Sequence, residues 1–133
     1  MSIATISILD VGHGSSAVVR SENSLCLIDA GSGGTVLEYV LSIGSARVDS
    51  ILISHADRDH VGGLIGLLTS KEFEVGAVWL NSDAFKRSRL WRDLTYELDR
   101  WESGAQRANI GVGKGDVLAF EPLNIDVLAP SVG

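Results

Sequence analysis

The chain has 133 residues, 45% of them hydrophobic, and its 17 acidic against 11 basic side chains give a formal net charge of −6. That length suits one compact domain, residues 1–133, with a real core, and the acidity argues against gripping a phosphate backbone by broad electrostatic attraction. A single cysteine, Cys26, excludes an intrachain disulfide and fits a reducing, cytoplasmic setting.

The first segment, 3–9, is β-rich and alternating and predicts a strand; Val11 to Ser16 is a glycine-punctuated turn. Residues 17–20 and 25–28 predict a hairpin, with 21–24 at its tip and Asp29 closing its second strand. A flexible Gly31-Ser32-Gly33-Gly34 stretch leads into a predicted helix over 35–43 that Gly44 stops. A β-branched strand over 48–53 follows, then a polar loop, a helix to about Ser70 and a strand over 75–80. From Ser82, Trp91, Leu94, Leu98, Trp101 and Ala105 recur at helical spacing opposite a charged face, which predicts an amphipathic helix packed by its tryptophans. Lys86, Arg87, Arg89 and Arg92 on that face also offer a local basic patch for a phosphate-bearing substrate, although acidic residues interleave further on. The last stretch, 113–120 and 123–130, predicts two strands joined by a turn. No basic segment runs into a long apolar stretch at the N-terminus, and none is long enough to span a bilayer, so neither a signal peptide nor a membrane segment is expected.

The polar loop, His55-Ala56-Asp57-Arg58-Asp59-His60-Val61-Gly62-Gly63, is the richest in chemistry. His55, Asp57, Asp59 and His60 place two imidazoles and two carboxylates within six positions, a donor set that suits zinc and also manganese or iron. If the loop stays extended, 55, 57 and 59 point the same way and His60 addresses a second metal or another face. The bland alternative is a strand-to-helix loop in which Asp57 or Asp59 caps the helix. Gly62 and Gly63, lacking Cβ atoms, let the backbone pack closely behind the site and turn sharply.

His55 to His60 resembles the His-x-His-x-Asp-His signature of metallo-β-lactamase-fold hydrolases, in the variant with Asp as the second member. Leu9-Asp10-Val11-Gly12-His13-Gly14-Ser15-Ser16 is similar to the opening of the ComEC-like subgroup, the C-terminal domains of DNA-uptake competence proteins. Leu27-Ile28-Asp29-Ala30-Gly31 is similar to the family's strand end after the hairpin. The resemblance implies an α/β αββα sandwich, of which this chain would hold the N-terminal βα half. It implies a two-zinc site, with His55 and Asp57 serving one metal and Asp59 and His60 the other. The carboxylate of Asp57 is a harder ligand than the usual imidazole and admits manganese. The metal would activate water for attack on an electrophilic centre, with Asp59 as the catalytic residue orienting it. Asp29 is either a partner fixing a ligand histidine or a strand-end Asx turn; Asp10 and His13 are either pocket-lining or local turn residues.

The resemblance also implies ligands that are missing. The chain's histidines are His13, His55 and His60, so the family's later His ligands have no counterpart, and Asp116 precedes the position of its bridging Asp. Three expectations follow: the N-terminal portion of a metal-dependent hydrolase whose C-terminal half lies elsewhere, a non-catalytic binding module, or a homodimer with a composite site. The ComEC-like resemblance implies a phosphodiester in nucleic acid or a nucleotide as substrate, with a thioester, lactone or β-lactam as the alternative.

Overall fold

The computed structural model describes residues 4–12, 15–22, 24–31, 33–54, 63–81, 107–112, 117–120 and 123–126, together with Arg92, Asp93, Tyr96, Leu98 and Arg100. Eight strands and two helices are delimited among them: β1 Thr5–Ile8, β2 Ala17–Arg20, β3 Leu25–Ile28, α1 Thr35–Ser42, β4 Arg47–Ile53, α2 Leu64–Thr69, β5 Glu74–Asn81, β6 Arg107–Val112, β7 Val117–Phe120 and β8 Leu123–Asp126. The first six strands form one mixed sheet in chain order, and β7 and β8 form a separate hairpin.

β1, β2 and β3 are antiparallel neighbours, while β3, β4, β5 and β6 run parallel. Parallel neighbours need crossovers. Here α1 carries the chain from β3 to β4, α2 from β4 to β5, and helical residues between 92 and 100 lie in the β5 to β6 connection. β1 runs in the same sense as β3, so the loops after β1, β3, β4 and β5 all leave from one edge of the sheet.

Side-chain alternation divides the sheet. Leu25 and Leu27 on β3, Ile51 and Ile53 on β4, and Val78 and Leu80 on β5 bury toward the helices, against Val36 and Val40 of α1 and Leu64 and Leu67 of α2. Their spacing explains the helices: 36 and 40 in α1, and 64 and 67 in α2, are one turn apart and put both apolar residues on one face. Each such side chain contributes about 1.5–3 kcal/mol when fully buried. Leu98 joins this core, whereas Arg92, Asp93, Tyr96 and Arg100 are exposed. That is the amphipathic pattern expected from sequence; Trp91, Leu94, Trp101, Ala105, Lys86, Arg87 and Arg89 lie outside the described residues. Val48 and Val75 reach the same core, so alternation breaks once between Val48 and Ile51. Gly76 makes room there: a Cβ on it would strike the Arg47 guanidinium.

The opposite face carries two cross-strand rows. Ile8, Ala17, Ile28, Leu52 and Trp79 pair in one, and Ile6, Val19, Cys26, Ser50 and Ala77 in the next. Val19 and Cys26 form a small second core, with Ile28 and Ile125 of β8 packed on it.

β6 is not expected from the sequence, and the helix after the polar loop spans Leu64–Thr69. The fold is otherwise the α/β half-sandwich anticipated.

Candidate metal centre

The turn that ends β3 organises the site. Asp29 is 4% exposed and adopts φ 61°, the left-handed region, which a short polar side chain tolerates better than others. Its N–H donates to the Leu52 carbonyl at 2.8 Å, continuing the β3–β4 ladder, and its own carbonyl accepts the Ser16 hydroxyl at 2.9 Å. The carboxylate therefore turns across the sheet edge to β4. Its two oxygens accept the Ser54 N–H at 2.7 Å and the Ser54 hydroxyl at 2.6 Å. Ser54 is the residue immediately before His55.

The far end of the polar loop is tied to the same turn. Gly63 donates its N–H to the Gly31 carbonyl at 3.0 Å. A Cβ at Gly63 would strike the Ala30 carbonyl oxygen and approach the Gly33 oxygen to 2.7 Å, so only glycine fits. Ser54 and Gly63 are thus anchored two residues apart on one turn, at Asp29 and Gly31. The two residues that flank 55–62 are therefore held close together. Gly63 also holds the N-cap position of α2, and no side-chain cap bond is made there among the described residues.

The loop after β1 abuts this turn. Val11 lies against Gly31, at φ 67°, and the Leu9 N–H donates to the Ser16 carbonyl at 3.0 Å, closing the loop at its base. Asp10 accepts the Gly12 N–H at 3.0 Å, a local Asx-type turn. Topology therefore brings three loops, following β1, β3 and β4, to one sheet edge. His13, His55, Asp57, Asp59 and His60 lie outside the described residues. Among the described residues, no group of three or more His, Cys, Asp or Glu is placed to hold a metal. No helix among the described residues is long and apolar enough to cross a membrane.

Sequence reasoning does not single out Ser54 or Ser16. The only signal for Ser54 is a hydroxyl residue wedged between an apolar strand and a histidine-rich loop, and its partner, 25 positions earlier, is invisible without the sheet.

Residues 9–132 match the metallo-beta-lactamase superfamily, and the chain belongs to that family. A ribonuclease Z from Treponema pallidum (strain Nichols) is 43% identical over 56 residues, covering 42% of this chain and 18% of that protein. A hydroxyacylglutathione hydrolase from Aeromonas salmonicida (strain A449) is 37% identical over 51 residues, covering 38% and 20%. Among solved structures, a diphosphatase from the PhnP family superposes with a TM-score of 0.56 at 17% identity, over 90% of this chain and 54% of that one. Human tRNase Z, short form, superposes with a TM-score of 0.51 at 25% identity, over 84% and 46%. The match spans about a fifth of these curated relatives and about half of the solved chains.

Proposed function

We propose that this chain supplies the first half of the active site of a metal-dependent hydrolase that cleaves a phosphodiester in nucleic acid or a nucleotide. The observation that carries the reading is the pinning of both ends of the His/Asp stretch to the Asp29–Gly31 turn, at the sheet edge where three loops converge. A loop that must hold several ligands in fixed relation needs such anchoring. The likeness to ribonuclease Z, and to the tRNase Z structure, favours a nucleic-acid substrate over a thioester.

The donor set fits a pair of divalent cations, zinc or manganese, with His55 and Asp57 at one and Asp59 and His60 at the other. A cation bound there supplies Lewis-acid activation of water and of the phosphoryl oxygen. Asp59 orients the attacking water. Asp29 acts through the backbone: by fixing Ser54 it sets the direction in which His55 leaves β4. The ComEC-like character of the Leu9 to Ser16 segment belongs to the same reading, as do a cytoplasmic setting and a single domain over 1–133.

Isothermal titration with zinc and with manganese tests the site directly. Binding by the chain should fall sharply in Asp59→Ala with His60→Ala, and about 10- to 100-fold in Asp29→Ala. Hydrolysis of bis(p-nitrophenyl) phosphate and of a short RNA should follow metal loading in the full-length hydrolase. Metal affinity unchanged by the double substitution would sink the assignment.

A further inference from the structure

A polar cleft lies at the other end of the sheet from the candidate metal centre. The β2–β3 hairpin tip, the exit of α1 and the start of β4 enclose it, and its volume is about 290 Å³. That is the small end of the roughly 300–1,000 Å³ typical of small-molecule sites. Leu25 and Ile43, both packed on the helix-side core, give it an apolar wall. The seven residues of β4 run from Arg47 in the cleft to Ile53 beside the polar loop, so about 23 Å separates the two ends.

Positive charge is gathered in this cleft. The described residues through Asn81 hold three basic side chains, Arg20, Arg47 and Lys71, in a chain of net charge −6, and two of the three line it. Strand order brings them together. Arg20 pairs with Leu25, whose N–H donates to the Asp49 carboxylate at 2.8 Å, and Arg47 lies two residues before Asp49. Two strand spacings and two residues along a strand put the two arginine Cα atoms about 12 Å apart, so guanidinium groups from both can meet one small ligand.

The two arginines are held differently. Arg47 Nε donates to Asp49 Oδ1 at 3.1 Å, and its Nη1 faces Glu74 Oε2 at 3.6 Å. Its guanidinium also lies over Gly76, where a Cβ would strike Nη2. The fork is thus fixed while its side chain stays 53% exposed. Arg20 is exposed and makes no ion pair among the described residues, Glu22 two positions on included. A fixed fork facing an uncommitted cation suits an oxyanion that accepts from both. A carboxylate has two oxygens, which one fork occupies; a phosphate monoester has three.

We propose that this cleft binds a small phosphate monoester, with its phosphate between Arg20 and Arg47 and a short carbon body against Leu25 and Ile43. The inference does not rest on the metal reading. Metal-free, ¹⁵N-labelled protein is titrated with ribose 5-phosphate, ribose, inorganic phosphate and acetate, following amide shifts. Ribose 5-phosphate should move the amides of Leu25 and of Ser45 to Asp49 saturably. Inorganic phosphate should move the same set more weakly, and ribose and acetate should leave them in place. Arg20→Gln should weaken ribose 5-phosphate about 10-fold, the loss of one charge-assisted hydrogen bond. Glu22→Gln should strengthen it about 2-fold, the scale of an exposed charge contact. Both positions are exposed, so both variants should keep the fold. Absence of saturable shifts, ribose or acetate binding as tightly as ribose 5-phosphate, or wild-type affinity in Arg20→Gln overturns the proposal. Metal titration at the His/Asp loop is a separate measurement, so the two readings fail separately.

Discussion

Replacing Asp29 separates the backbone and side-chain roles of the turn that anchors the polar loop. In Asp29→Ala the Ser54 N–H and hydroxyl lose a charged acceptor they meet at 2.7 and 2.6 Å. Hydrogen bonds to a charged group contribute about 1.5–3 kcal/mol each; Ser54 is only partly buried, so the lower figure applies and the pair amounts to about 3 kcal/mol. Alanine held at φ 61° adds about 1 kcal/mol of left-handed strain. The expected loss is about 4 kcal/mol, a large share of the roughly 5–15 kcal/mol typical of a domain. Asp29→Gly removes the strain and should recover about 1 kcal/mol of it. Asp29→Asn tolerates the backbone, accepts from the Ser54 N–H and donates to its hydroxyl, so it should cost only about 1 kcal/mol. Urea denaturation at constant m reads these differences, and a cycle with Ser54→Ala should return a coupling of about 1.5 kcal/mol. If Asn proves as damaging as Ala, or Ala and Ser54→Ala simply add, the clamp is not what holds the strand end.

Gly63→Ala should cost about 2–3 kcal/mol by overpacking against the Ala30 and Gly33 carbonyls, and should weaken metal binding with it; denaturation and titration of one sample check both. Burial, reinforced by the Asp49 carboxylate, pushes the Cys26 thiol up from 9.0 to about 12. A thiol pKa raised on folding leaves stability whole below about pH 9 and erodes it as pH rises toward 12, by up to about 1.4 kcal/mol per unit. The stability difference between the wild type and Cys26→Ala should therefore be flat to about pH 9 and shrink above it. Native Cys26, 1% exposed, should resist maleimide at about pH 7 until denaturant is added. Leu27→Ala, at a fully buried position of the helix-side core, should cost about 2–5 kcal/mol by the same denaturation assay.

Local signals account for much of this molecule. Alternation and β-branching locate β1 to β5 within a residue or two, because period-2 burial is written directly in the side chains. The His/Asp loop announces its chemistry by composition, and Gly63 its close approach. β6 escapes although Ala108, Ile110 and Val112 alternate with Arg107, Asn109 and Gly111, because Ala, Asn and Gly are poor strand formers; it is a strand through its pairing with β5. Asp29 is ambiguous for the same kind of reason: a carboxylate at a strand end caps its own turn or reaches elsewhere according to what the sheet sets beside it. Parallel pairing of β3 with β4 brings Ser54 to it across 25 residues, and brings Gly63 to Gly31. Residue type and spacing alone thus name the groups able to seat cations and the strands that bury. That both ends of the His/Asp loop share one anchor is settled by the folded sheet, because hydrogen bonds between distant segments depend on strand order, which no local pattern encodes.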